Sequence, residues 1–96
     1  MNNDELMKLV KEGESLTLEF KNDWGPLPDD EMLEAIICLA NHHGGHLLVG
    51  VEDNGEITGL HRKHQTNPGS LAGFIASRTV PPISVEVDFI DISDKK

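Results

Sequence analysis

Aromatic side chains are scarce: the 96-residue chain has no tyrosine, one tryptophan and three phenylalanines. A core built from them is excluded. Burial has to come from Leu, Ile and Val, which predicts modest stability for a domain this small. Cysteine occurs once, as Cys38. No disulfide can close within the chain, and the apolar run around Cys38 predicts a buried free thiol. Basic residues are few, eight Lys and Arg against 17 Asp and Glu, for a formal net charge of −9. That balance excludes a broad cationic surface able to hold a phosphate backbone by charge alone. No apolar run approaches the roughly 20 residues that cross a bilayer as a helix. The opening MNNDELMKLV lacks the basic and long apolar regions of a secretory signal. A cytoplasmic protein without membrane partners is expected.

Several sites of chemistry are missing as well. Neither GxxxxGK(S/T) nor GxGxxG occurs, so an ATP or dinucleotide site has no sequence support, and no HExxH pair is present for zinc. Ser15 and Ser70 have no placed His and Asp companions.

What is present reads as alternating helices and strands. Asn3 caps a short helix to about Glu12, lined by Leu6, Leu9 and Val10 and stopped by Gly13. Residues 15–21 alternate as a strand with Leu16, Leu18 and Phe20 inward, and NDWGPLPDD is a loop. Asp29 or Asp30 caps a helix to Asn41, with Met32, Leu33, Ile36, Ile37, Leu39 and Ala40 on its apolar face. Gly44 and Gly45 follow it. HLLVGVED is a central strand, Asp53-Asn54-Gly55 a turn, and EITGL the returning strand of a hairpin. A further helix runs from Asn67-Pro68 to Arg78 and is stopped by Pro81-Pro82. ISVEVDFIDI then alternates, placing Ile83, Val85, Val87 and Phe89 on one face. The order α-β-α-β-β-α-β predicts an α+β fold, a mixed β-sheet with flanking helices. SDKK after the last strand reads as the start of another hairpin turn. The expectation is one domain over residues 1–96, the N-terminal module of a longer protein, with an open sheet edge available for homodimer pairing.

Three carboxylates are candidates for a shared site: Glu14 and Glu19 at the first strand, and Asp53 at the end of the central one. Clustered carboxylates hold Mg²⁺ or Mn²⁺ beside a phosphate and can activate water there. Each also has a plainer role, Glu19 as a solvated outer-face residue, Asp53 as a turn former and Glu14 as part of the helix–strand connection. A separation of five puts Glu14 and Glu19 on opposite faces of an ideal strand. They converge only if Glu14 precedes the strand or a bulge intervenes. Lys21, His42, His43, Arg62 and Lys63 are the candidate nucleic-acid contacts. His61 and His64 flank the last two in a small cationic loop, which reads equally well as an ordinary exposed loop.

Two blocks, GESLTLEFK and ICLANHHGGHLLVGVEDNGEITGL, resemble the Schlafen AlbA-type domain family. That family pairs an E-S-x-x-x-E-F-K strand with an A-N-x-x-G-G-x-L-x-x-G-V-x-D-x-G-x-I-x-G segment. The matched blocks cover residues 13 to 60. The resemblance implies a Schlafen AlbA-like fold and a module that binds DNA or RNA, often in a transcriptional regulator. In the Schlafen nucleases it implies three metal-binding acids, which fall here on Glu14, Glu19 and Asp53 and would serve a metal-dependent endoribonuclease with Mg or Mn as cofactor. Where the family commonly has Asn-Thr before Gly-Gly, this chain has Asn41-His42-His43. With one lobe and a net charge of −9, binding without a cofactor is expected ahead of cleavage. A protein-interaction or dimerisation module is the third reading.

Overall fold

Asn2, one residue earlier than expected, starts the first helix in the computed structural model, which describes residues 1–65 and 67–92. Its side chain accepts from the Glu5 N–H, and the Glu5 carboxylate accepts from the Asn2 N–H, each at 2.9 Å. This reciprocal cap satisfies two helix-end donors and stabilises helix α1 (Asn3–Glu12) by about 1 kcal/mol. Gly13 ends α1 at φ 85°, the left-handed region that favours glycine.

The chain then turns before it becomes a strand. The Ser15 N–H donates to the Leu18 carbonyl at 2.8 Å, so strand β1 is confined to Leu18–Lys21. Leu16 therefore sits outside the strand and is 75% exposed, whereas Leu18 and Phe20 are buried as expected. Helix α2 (Asp29–Asn41) begins at Pro28 with no side-chain cap. Asp29, Asp30 and Glu31 crowd its first turn instead, where negative charge complements the helix dipole. Met32, Ala35, Ile36 and Leu39 form its buried stripe. Ile37 and Ala40 fall outside that stripe, and so does Cys38, which is an exposed thiol, contrary to the sequence expectation.

Strand β2 (His46–Val49) pairs parallel to β1, with Leu18 opposite His46 and Lys21 opposite Val49. Gly50, at φ 95°, ends it, and both Thr58 and Gly59 donate their N–H groups to the Gly50 carbonyl. The expected hairpin is thereby reduced to one bridge, Val51 to Ile57. A 3-10 turn (Arg62–His64) precedes helix α3 (Pro68–Arg78), whose Asn67 cap accepts from the Ser70 N–H at 2.7 Å. α3 ends at Thr79, a buried hydroxyl that donates to the Ile75 carbonyl and accepts from the Ile83 N–H.

The two-stranded sheet separates two apolar clusters. Leu6, Leu18, Phe20, Leu48 and Val51 make the first, on the α1 side. Leu27, Met32, Ile36 and Ile75 make the second, against which Leu47 and Val49 pack from β2. Residues 83–92 contribute to both clusters but join no ladder. Among the described residues the sheet therefore has two parallel strands, and the expected terminal strand is extended chain. Ile83 and Val85 pack on the second cluster, Ile90 and Ile92 on the first. The alternation shifts at consecutive exposed residues, Asp88 and Phe89, which puts Phe89 outward. Two polar ties hold this segment to α1: the Met1 ammonium lies 3.2 Å from Asp88, and the Asn3 side chain donates to the Asp91 carbonyl. Hydrogen bonding and charge from Asp88 raise the Met1 amine above its ordinary pKa. The class is α+β, with three α-helices and a small sheet among the described residues. The expected SDKK turn lies outside the described residues.

Close backbone approach at Gly45 fixes where β2 starts. A Cβ there would collide with the Thr17 carbonyl, the acceptor of the His46 N–H at 2.8 Å. Gly45→Ala is therefore expected to lower stability by about 2–4 kcal/mol. Gly73→Ala, on α3 with nothing within 4 Å, should raise it by about 0.5–1 kcal/mol. Urea midpoints of the two variants against the parent check both signs.

Candidate functional site

Parity on β1 sets the first two site residues. Leu18 and Phe20 point into the first cluster, so Glu19 and Lys21 lie on the opposite face, toward the α2 side. As neighbours two apart on one face they meet, with Lys21 Nζ 3.4 Å from Glu19 Oε2. Both side chains are partly exposed, so the pair contributes little to stability.

Glu14 satisfies the condition that parity imposes. Because β1 begins only at Leu18, Glu14 belongs to the preceding turn and folds back alongside the strand. Its Oε2 accepts from the Phe20 N–H at 2.9 Å, on the edge of β1 that β2 leaves uncovered. Asp53 comes from the turn after Val51, which the Gly55 N–H closes onto the Glu52 carbonyl at 2.8 Å. Glu14, Glu19 and Asp53 all line one open cleft of about 500 Å³, together with Lys21, Asn22 and Glu31. Leu27 and Pro28 also border it, but its accessible surface is almost wholly polar. The cleft stands at the carboxyl end of β1 and the amino end of α2, the place where open α/β arrangements bind ligands.

Shared lining is not shared coordination. The all-oxygen donor set suits a hard divalent cation, but one oxygen of Glu14 is committed to the Phe20 N–H and one of Glu19 to Lys21. Among the described residues, no group of three or more His, Cys, Asp or Glu is placed to hold a metal ion. The carboxylates as arranged do not fit a three-ligand centre.

Of the five residues expected to touch nucleic acid, Lys21 alone lines the cleft. His42 closes α2, its Nδ1 2.8 Å from the Cys38 carbonyl, and His43 occupies the following turn at φ 72°. Both lie near the start of β2, whose first residue pairs with Leu18 at the opposite end of β1 from Lys21. Arg62 and Lys63 are exposed on the 3-10 turn. The histidines beside them face other work: His61 Nδ1 accepts from the Lys63 N–H, and His64 turns inward.

His64 turns toward Asp23, a residue that sequence reasoning left in a loop. Asp23 is the most deeply buried polar residue described, at 1% exposure. Its Oδ1 accepts from the Leu27 N–H at 2.7 Å, its Oδ2 from the His61 N–H at 2.8 Å, and His64 Nδ1 lies 2.9 Å from Oδ2. Both carboxyl oxygens already accept from backbone N–H groups, which leaves the ring nitrogen as the donor in this contact. An Asp in a Pro- and Gly-rich loop signals the local bond to Leu27. Nothing local signals partners 38 and 41 residues away. Removing this carboxylate leaves three donors facing a buried void. Asp23→Ala should cost about 3 kcal/mol, read as a lower urea midpoint, with faster proteolytic nicking within residues 61–65.

A family model described as Schlafen, AlbA_2 matches residues 14–96. No curated protein and no solved structure matches the chain. The matched span begins at Glu14 and includes both strands and every residue of the cleft. This chain belongs to the Schlafen AlbA_2 domain family.

Proposed function

We propose that the chain is a nucleic-acid-binding module of a transcriptional regulator, engaging DNA or RNA at the carboxyl end of β1. Membership in a family of nucleic-acid-related function supports the class. The observation that carries the location is Lys21, a cation standing in the cleft between the strand end and the first turn of α2. An ammonium there offers a point contact for a phosphate. The surrounding carboxylates limit how much of the affinity can come from charge, so binding should depend on salt with a shallow slope.

A second reading, metal-dependent RNA cleavage, is favoured by one observation: Glu14, Glu19 and Asp53 line the same cleft. It requires the three carboxylates to draw closer together than they stand, a rearrangement that a bound Mg²⁺ or Mn²⁺ would have to drive.

One experiment separates the two. End-labelled single-stranded DNA, single-stranded RNA and duplex DNA are titrated with the full chain, and each probe is then analysed for length with and without Mg²⁺ or Mn²⁺. The expected result is saturable binding that Lys21→Ala weakens several-fold, by about 1 kcal/mol, with the probes intact. Absence of binding to every probe overturns the module reading. Metal-dependent shortening of the RNA that Glu19→Gln abolishes establishes cleavage in its place.

A further inference from the structure

The single tryptophan of the chain stands in the open. Trp24 is 80% exposed, although the residue just before it, Asp23, is buried. Asp23 is buried and bonded to Leu27, His61 and His64, and Asn22 and Gly25 on either side both line the cleft. Consecutive Cα atoms lie about 3.8 Å apart, which brings the indole's backbone to the rim of the cleft. Leaving so large an apolar surface in water forgoes about 1.5–3 kcal/mol of burial. The chain had inward positions available in the same loop, since Leu27 is buried three residues later.

We propose that Trp24 is a stacking platform for an unpaired nucleobase of a single strand held at the cleft, an inference that rests on the nucleic-acid-binding reading above. Three features favour a base over an apolar partner. The large apolar residues nearest it in the chain, Phe20 and Leu27, are both buried, so only the small rings of Pro26 and Pro28 stand exposed beside the indole in its own loop. The segment that carries it is pinned by the buried Asp23, so the ring's backbone is held before any ligand arrives and little ordering entropy is lost on binding. The carboxylates of Glu31 and Asp53, which repel a phosphate, are good acceptors for the exocyclic amino groups of adenine, cytosine or guanine. An acidic cleft holding one ammonium, with an exposed indole on the adjoining loop, thus matches the three parts of a nucleotide: amino-bearing edge, phosphate and π-face. Stacking is open to any base because every base has a π-face. It requires the base to be unpaired, which sets the ligand as single-stranded DNA or RNA.

The chain supplies its own reporter. With no tyrosine and one tryptophan, intrinsic fluorescence excited at the red edge comes from Trp24 alone. Binding of end-labelled single-stranded DNA or RNA is followed by anisotropy, and the unlabelled strand is titrated against tryptophan emission. The expected result is quenching with the same midpoint as the anisotropy change. Trp24→Ala should weaken single-strand binding about 5- to 150-fold, the range for losing one stacked base. Trp24→Phe should retain most of the affinity, and strands with abasic sites should bind as weakly to the parent as intact strands bind to Trp24→Ala. The side chain is exposed, so far-UV circular dichroism of Trp24→Ala should match the parent. Binding of intact strands without quenching, or unchanged by Trp24→Ala, overturns the stacking assignment and leaves the nucleic-acid-binding reading standing. No anisotropy change with any strand overturns both. The DNA and RNA arms of one sequence identify which sugar the site accepts.

Discussion

The buried carboxylate of Asp23 is the constraint on which the cleft depends. A carboxylate shielded from solvent is costly unless donors replace the lost water. Here the donors come from the loop that follows β1 and from the segment before α3. Both segments are otherwise irregular, with no strand ladder to hold them. One side chain therefore sets the distance between two stretches of backbone far apart in sequence. Among the described residues, no buried side-chain nitrogen or oxygen lacks a partner, so the cost of Asp23 is met in full. Lys21, Asn22, Gly25 and Leu27, which line the cleft, flank this residue on both sides.

Legibility in the sequence followed the range of the interactions. The α3 cap and the helix stops were readable because they are local: Asn67 and Gly13 stand where their spacing put them, and α2 ends at Asn41 as expected. The caps of α1 and α2 fall before their expected positions, at Asn2 and Pro28. The alternation of Leu18 and Phe20 was readable for the same reason. Leu16 was not, because a Ser15–Leu18 turn takes it out of the strand before the pattern begins. In residues 83–92 the alternation foretold which side chains turn inward as far as Val87, but not whether the backbone would find a ladder. Side-chain period and strand pairing are separate matters. The first is a property of the segment, the second of its neighbours. Cys38 was expected inside because its surroundings are apolar, yet the α2 stripe runs through Ala35, Ile36 and Leu39 and passes it by.

The candidate site shows the same division. The motif spacing singled out Glu14, Glu19 and Asp53, and all three line one cleft. The Phe20 N–H could not be foreseen as the partner of Glu14, since it depends on how the preceding turn folds back along β1, whereas the Glu19–Lys21 pair follows from strand parity alone. Residues chosen for charge alone, Arg62, Lys63 and the His42–His43 pair, proved to be spread over other parts of the fold. Charge type says what a residue could bind; position says whether it shares a site.

Three residues of β2 form a wall common to both apolar clusters. Leu48 faces the first while Leu47 and Val49 face the second. Two cores this small could in principle melt one after the other, as separate units of local stability. A shared strand removes that freedom: the side chains of β2 cannot leave one cluster while staying in the other. Heat or denaturant should therefore meet a single cooperative transition, in which the α1 side and the α2–α3 side are lost together.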